Sequence, residues 1–463
     1  MTDLAARLAA VIDPARIRTD ADSLQQYGRD WTRYYAPAAS AVVFPRSLDE
    51  VQALVQLARA ERLALVPSGG RTGLSGGACA VAGEVVVSFE QMREISDFDP
   101  VAATVRCQAG VVTESLQQYA LTQGLYFPVD FASRGSSCIG GNIATNAGGI
   151  KVVRYGMFRD WVAGLTVVTG AGDVLRLNQG LVKNNSGYDL RHLFVGSEGT
   201  LGLIVDATLR LARAPAPARV MVCAAPALEH ILQVFHAFRA RLTLNAFEFF
   251  SEAAQQAVLA RGHVRRAVDT VTPYYALLEF DAEHEPAALA AFEACVDAGW
   301  LADGVISQSD TQAAALWRLR EDISESITPR TPYKNDVSVV ISRAPAFIAE
   351  LDALLAREYP DFDVVWFGHI GDGNLHINVL RPLDMDIDTF RGHCERVNSL
   401  VFDVLARYQG SMSAEHGVGL LKRDYLPVTR SAEEIHYLRG IRQVFDPDGI
   451  LNPGKLLPAA ESA

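Results

Sequence analysis

67-PSGGRTGLSGG-77 is the stretch whose reading decides the fold. It closes the strand-like run Ala64-Leu65-Val66 and carries glycine at positions 69, 70, 73, 76 and 77. Glycine reaches positive φ at little cost and lets a backbone approach a ligand closely. Successive exposed N–H groups then form a concave anion site suited to a pyrophosphate. A second segment, 133-SRGSSCIGGNIATNAGG-149, repeats the mixture of glycine with Ser, Thr and Asn. Neither segment runs into the Gly-Lys-Ser/Thr of a triphosphate-binding loop, and neither matches G-x-G-x-x-G opening a helix. The likeness of 196-GSEGTLG-202 to that pattern is superficial. A Rossmann NAD site is therefore disfavoured. The plain alternative for either loop is a set of tight turns; two such loops together point to phosphate binding.

Working outward, 41-AVVFPRS-47 reads as a strand and 48-LDEVQALVQLARAERL-63 as a helix with apolar residues at helical spacing. Residues 164–177 and 202–212 are strand-like. The Pro/Ala stretch 212-ARAPAPARV-220 is a candidate linker. Beyond it lie Ala/Leu helices with strands expected near 246–250, 274–280, 337–342 and 363–380. Short strands alternate with helices, an antiparallel hairpin stands among them, and the expected class is α+β. The expected organisation is a helical lead-in over 1–35, a domain carrying both glycine loops over 36–214, a second domain over 215–410, and a C-terminal segment over 411–463.

The bulk numbers set limits. The chain has 463 residues, 49% hydrophobic and 21% charged, with a net charge of −12. An acidic chain argues against nucleic acid as partner, and an anionic substrate would need a local positive patch. The six cysteines are scattered, with no C-x-x-C pair, so a disulfide framework, an iron–sulfur set and a Cys-type zinc site are disfavoured. The N-terminus lacks the basic and apolar regions of a secretory signal. No run approaches the roughly 20 apolar residues of a membrane span. A soluble, cytoplasmic protein is expected.

Two histidines are placed by spacing. Val364–Ile370 and Leu375–Leu380 read as strands around the turn residues Gly371-Asp372-Gly373-Asn374. Folding about the centre of a four-residue loop sets His369 opposite His376, so both imidazoles share one face and can hold one metal. Asn378, two residues on, points to that face too. Glu415 in 413-SAEHGVG-419 offers a third ligand, and two His with one carboxylate leave open positions for substrate. Zn²⁺ is the first expectation; N/O ligation also suits Mn²⁺ or Co²⁺. The alternative is that both histidines are ordinary hairpin residues. Elsewhere, Arg320 and Ser324 are four apart on a helical stretch, and Lys334 precedes a strand. Arg320 offers a fork for a carboxylate and Lys334 a point charge, unless they are plain surface charges.

Taken together, the first loop, 140-GGNIATNAGG-149, 195-VGSEGTLGLI-204, 368-GHIGDGNLH-376, 414-AEHGVG-419 and 445-FDPDGILNPGK-455 resemble the vanillyl-alcohol oxidase/PCMH flavoproteins. Within that superfamily they resemble the FAD-linked D-lactate/D-2-hydroxyglutarate/glycolate dehydrogenases. The resemblance implies FAD contacts at Ser68, Gly69, Gly70, Arg71, Thr72, Ser136, Gly141, Asn142, Thr145, Gly149, Glu198, Ile204 and Asn452. With no His or Cys in the first loop, the flavin is expected to be non-covalent. An alcohol that gives hydride to flavin N5 must lose its hydroxyl proton; a metal at that oxygen lowers its pKa, and a histidine can take the proton. His416, beside Glu415, is the candidate base, the role the family gives this position; a fourth ligand or a structural histidine are the alternatives. His192, His230, His236, His263, His284, His393 and His436 read as surface or structural residues.

In the D-2-hydroxyglutarate members the residues matching Arg320, Ser324 and Lys334 bind the distal carboxylate. Here Ser stands in place of Thr, and one residue fewer separates the Arg from the Lys. The expected reaction is oxidation of D-2-hydroxyglutarate to 2-oxoglutarate. D-malate, D-lactate and glycolate remain alternatives, and beyond them a flavin-free zinc hydrolase or a non-catalytic FAD-binding subunit. The acceptor implied is an electron-carrier protein such as electron-transfer flavoprotein, and a homodimer is compatible with the sequence.

Overall fold

The computed structural model describes residues 2–32 and 34–459. Residues 1, 33 and 460–463 of the expected terminal segments lie outside that description. The chain forms two compact units: residues 1–149, 156–214 and 415–463 make the first, and residues 150–155 and 215–414 the second.

In the first unit, among the described residues, a four-stranded sheet runs in the order Ile17–Arg18, Ala41–Val43, Val85–Ser88, Leu65–Ser68. The last three are parallel. Parallel strands need a crossover, and helix Leu48–Glu61 supplies the one from Ala41–Val43 to Leu65–Ser68, which flank Val85–Ser88. Ser47 caps its N-terminus by accepting from Glu50 N, and it buries Val51, Leu54, Val55 and Ala58, the i, i+3, i+4, i+7 stripe legible in the sequence. A five-stranded antiparallel sheet follows, ordered Ile95–Asp99, Thr104–Gln108, Gly202–Arg210, Val162–Thr169, Val174–Leu177. The C-terminal segment rejoins this unit: Leu451 bridges Leu65 in parallel, and Asp446 accepts from Ile450 N and Leu451 N at 3.0 and 2.9 Å.

The second unit is built on a seven-stranded sheet in the order Asp303–Ile306, Ala218–Ala225, Tyr274–Asp281, Leu244–Ser251, Val364–Gly368, Asn374–Val379, Tyr333–Ser338. Every neighbouring pair is antiparallel. Ala246, Phe250, Val365, Phe367 and Leu277 pack on one face beneath Leu316, Trp317 and Leu319 of helix Asp310–Glu321.

Three sequence expectations need correcting. The stretch 212–220 is a linker only at residues 214–217, because Ala218–Ala225 pairs residue for residue with Tyr274–Asp281. The strand expected near 337–342 runs Tyr333–Ser338 and stops where Val340 opens a 3₁₀ turn. Arg320 and Ser324 do not share one helix: Asp322 ends the first helix and Ile323–Ile327 begins a second.

Candidate functional site

A cleft of about 140 Å³ lies in the first unit. Of the residues expected at the flavin, Ser68, Gly69, Gly70, Arg71, Thr72, Gly141, Asn142, Thr145, Glu198 and Ile204 line it. The two glycine loops press on each other: a Cβ on Gly70 would stand 1.9 Å from Ser136 O, and one on Gly69 would stand 3.1 Å from Cys138 Cβ. No side chain fits at Gly70 without moving backbone. Arg71 (φ 57°) and Glu198 (φ 52°) hold left-handed conformations, uncommon outside glycine and concentrated at functional sites. Arg71 lies over the Tyr27 ring at 4.4 Å with Glu90 at 3.6 Å.

Ser136, Gly149 and Asn452 do not line the cleft but support it. Ser136 supplies the carbonyl behind Gly70, and Gly149 lies so close to Asp130 O that a Cβ there would reach 1.9 Å. Asn452 donates to Gly77 O at 2.9 Å and Glu198 O at 2.7 Å. Sequence reasoning missed Phe89 and Ala109 of the lining, which lie outside the quoted motifs, and Ala144, an apolar residue within the second glycine segment. The chemistry of the cleft fits a flavin nucleotide. Ser68 Oγ and Asn452 Oδ1 are buried with no hydrogen-bond partner among the described residues, a cost that a polar ligand would relieve. The six cysteines are free and buried; burial holds the Cys138 thiol beside the cleft at about 11, so it is inert at neutral pH.

Glu198 does more than line the cleft. Its two oxygens accept from Val418 N and Gly419 N at 2.7 Å each. Burial pushes its pKa above the usual carboxylate range against those two bonds. The turn so held, with Gly417 at φ 79°, is the one that presents His416. Glu415 Oε1 stands 3.6 Å from His416 Nε2, and both side chains are half-buried.

The hairpin of the second unit corrects the sequence reading in its register. Phe367, not His369, faces His376, and Val365 faces Asn378. The connection therefore spans residues 369–373, and Asp372 N and Asn374 N both donate to His369 O. The shift is by two residues, so faces are preserved. His369 and His376 still meet, with ring centroids 5.4 Å apart and planes at 82°. Asn378 is buried on the same face.

Sequence reasoning missed two carboxylates on that face. Phe249 pairs with Gly368 and Phe250 with Phe367, so extending the register sets Glu248 opposite His369. Asp336 pairs directly with His376. His369 Nδ1 lies 2.7 Å from Glu248 Oε1, and His376 Nδ1 lies 3.6 Å from Asp336 Oδ1. Glu248 and Asp336 are 1% and 2% exposed, too buried to be incidental surface charges. An ionised carboxylate only accepts, so it places the proton on Nδ1 of His369 and leaves Nε2 for a ligand bond. Such a histidine–carboxylate pair is how proteins orient metal ligands. A lone Glu in the apolar run 244-LNAFEFFS-251 was the signal available in the sequence.

Arg320 is 6% exposed; its Nε pairs with Glu248 Oε2 at 2.8 Å and its guanidinium covers the Phe367 ring at 4.6 Å. Its charge thus has a counter-charge within the protein, which the sequence did not reveal. The contact to Glu248 is one of charge, not an aligned hydrogen bond, so both Nε and Nη2 are buried with no hydrogen-bond partner among the described residues. Lys334 pairs with Asn378 in register and so lies on the same face. Its side chain stays accessible, while desolvation lowers its pKa below the usual lysine value, as for a cation on a concave surface. Ser324 is half-buried on the short second helix.

Residues 39–178 match the family described as FAD binding domain, and residues 214–456 that described as FAD linked oxidases, C-terminal domain. The chain is 57% identical to D-2-hydroxyglutarate dehydrogenase of Stutzerimonas stutzeri (strain A1501), over 99% of this chain and 100% of the relative. It is 56% identical to the D-2-hydroxyglutarate dehydrogenase of Xanthomonas citri pv. viticola, over 97% and 96%. Among solved structures, p-cresol methylhydroxylase superposes with a TM-score of 0.74 at 14% identity, covering 98% of this chain and 96% of that one. Among the described residues no helix is long and apolar enough to cross a membrane.

Proposed function

Because the chain belongs to the FAD-linked D-2-hydroxy-acid dehydrogenases, FAD-dependent oxidoreductases of the VAO/PCMH fold, we propose that it oxidises D-2-hydroxyglutarate to 2-oxoglutarate. The first unit serves as the flavin domain and the second as the substrate domain. When bound, FAD supplies the hydride acceptor for C2, and a divalent cation (Zn²⁺, or Mn²⁺ or Co²⁺) supplies the positive charge that acidifies the C2 hydroxyl. Ser68, Gly69, Gly70, Arg71, Thr72, Gly141, Asn142, Thr145, Glu198 and Ile204 hold the flavin, with Ser136, Gly149 and Asn452 behind them.

His369 and His376 hold the cation through Nε2. Glu415 is the third ligand. His416 takes the proton from the C2 hydroxyl oxygen. Arg320 Nη2, Lys334 and Ser324 bind the distal carboxylate, and Asn378 orients the α-substituents. The observation that carries this reading is the histidine pair with Nδ1 of each ring against a buried carboxylate. A structural pair on a hairpin would need neither Glu248 nor Asp336.

One observation favours a second reading. Since Glu248 already balances Arg320, a monocarboxylate would not strand that charge, and D-lactate is the competing substrate. Asp336 is taken up by His376 and Asn374, and Lys334 makes no ion pair among the described residues; a second substrate carboxylate would supply one, which favours the diacid over D-lactate and glycolate and keeps D-malate in play. Electrons leave to a carrier protein such as electron-transfer flavoprotein.

The test is anaerobic bleaching of the flavin's visible band by D-2-hydroxyglutarate, D-malate, D-lactate and glycolate, with L-enantiomers as controls. It is repeated after EDTA and after Zn²⁺ or Mn²⁺ re-addition. Fast, cation-dependent bleaching by the D-diacids is expected. Equal bleaching by D-lactate removes the diacid assignment, and bleaching indifferent to EDTA with the cation verified absent removes the metal.

A further inference from the structure

Glu248 sits where an apolar residue would be expected to cost less. Its neighbours Phe247, Phe249 and Phe250 are wholly buried, and Glu248 itself is 1% exposed. An ionised carboxylate at such depth is tolerated only when paired on both oxygens. Both are paired, and to different machinery: Oε1 is hydrogen-bonded to His369 Nδ1 at 2.7 Å, and Oε2 is ion-paired with Arg320 Nε at 2.8 Å, a charge contact without hydrogen-bond alignment. Resting on the reading above, we propose that Glu248 is a positioning residue that ties the cation-holding histidine to the arginine that recognises the distal carboxylate. One oxygen fixes the tautomer of His369; the charge on the other holds the Arg320 guanidinium over the Phe367 ring, where its unpartnered Nη2 is left for the substrate anion.

The chemistry of the site makes Glu248→Gln a discriminating change, because the amide keeps the shape and loses one acceptor. Arg320 can only donate. If the amide oxygen faces Arg320 Nε, the amide N–H₂ faces His369 Nδ1. The imidazole must then accept there and carry its proton on Nε2, which removes the ligand lone pair. If the oxygen faces His369, two donors meet at Arg320 and the guanidinium swings away. Either orientation breaks one of the two functions.

The experiment uses the full-length flavoprotein. Zn²⁺ affinity is read by competition with a chelating dye, and KM and kcat are read separately for D-2-hydroxyglutarate and D-lactate. Flavin content and thermal midpoint serve as folding controls. For Glu248→Gln we expect Zn²⁺ affinity to fall about 10–100-fold, the range for residues that orient metal ligands, or the KM for the diacid to rise by a similar factor while that for D-lactate moves less. Glu248→Asp keeps the charge but is one methylene short, so it should rescue one of the two readouts and not both; it is the deciding variant if the glutamine form does not fold. Unchanged Zn²⁺ affinity and unchanged KM in both variants, with wild type binding Zn²⁺ and His376→Ala losing it, would overturn the role of Glu248 alone. A wild-type protein that binds no Zn²⁺ would overturn the metal reading and this inference together.

Discussion

The cleft of the first unit and the hairpin face of the second are built from opposite materials. The cleft is a main-chain construction: glycines bring two loops into contact, and left-handed residues at Arg71 and Glu198 bend the walls. The hairpin face is a side-chain construction, in which four strands align His369, His376, Asn378 and Lys334 with the buried carboxylates Glu248 and Asp336. Backbone sites tolerate little added volume but are indifferent to charge. Side-chain sites tolerate modest changes of volume, and their function depends on each donor meeting an acceptor. The two regions should therefore fail differently.

The largest effect is expected from volume in the cleft. Gly70→Ala places a Cβ 1.9 Å from Ser136 O, which no rotamer can relieve. The purified protein should lack the flavin band and melt at lower temperature, whereas His376→Ala should keep its flavin and lose its cation. Full flavin stoichiometry in Gly70→Ala would break the contrast at once. Next comes His416→Ala, in which a general base is removed from a turn that Glu198 continues to hold. We expect kcat to fall about 10²–10⁴-fold with flavin content unchanged, measured by stopped-flow reduction of the flavin. Arg320→Lys should have a smaller effect, because charge is kept and only the planar fork is lost. A loss of about 10–100-fold in kcat/KM for D-2-hydroxyglutarate is expected, and less for D-lactate. Equal losses for both would assign Arg320 to the α-carboxylate or to structure.

The same contrast explains what the sequence disclosed. The cleft was legible because its glycines stand in contiguous runs, and because helix Leu48–Glu61 wears its buried stripe openly. The histidine pair was legible because a hairpin is local, although the turn chemistry at Gly371–Asn374 set the register two residues off. Glu248 and Asp336 stayed hidden since they reach the histidines only through strand neighbours 121 residues away in one case, and by a partner strand in the other. The counter-charge on Arg320 was hidden for the same reason, and with it the weakness in any substrate choice made from charge alone. The helix break at Asp322 carries no Gly or Pro. Asp322 is held there by an ion pair to Arg318 and a hydrogen bond with His263, the latter 59 residues distant.

The smallest effect on turnover, and the one that sharpens the contrast within a single strand, concerns Glu252. It follows the strand of Glu248 by one residue and has partners of its own. Burial raises its pKa, but bonds from Arg266, Gln256 and Tyr275 outweigh burial and leave it at about 2, below the ordinary 4.5. A carboxyl depressed in the folded state stabilises the fold above its unfolded pKa, and that stability drains as pH falls through the folded value. The window here is therefore from about pH 4.5 down to about 2. A shift of this size corresponds to on the order of 3 kcal/mol, an upper figure for a carboxylate with 22% of its side chain accessible. Glu252→Gln should lower the thermal midpoint at neutral pH and flatten the acid limb of stability, followed by circular dichroism. It should leave Zn²⁺ affinity and the KM for the diacid untouched. Glu248→Gln should do the reverse at the site. If Glu252→Gln also weakens the cation or the substrate, then the carboxylates of this strand act as one network, and the division between a structural and a positioning glutamate does not hold.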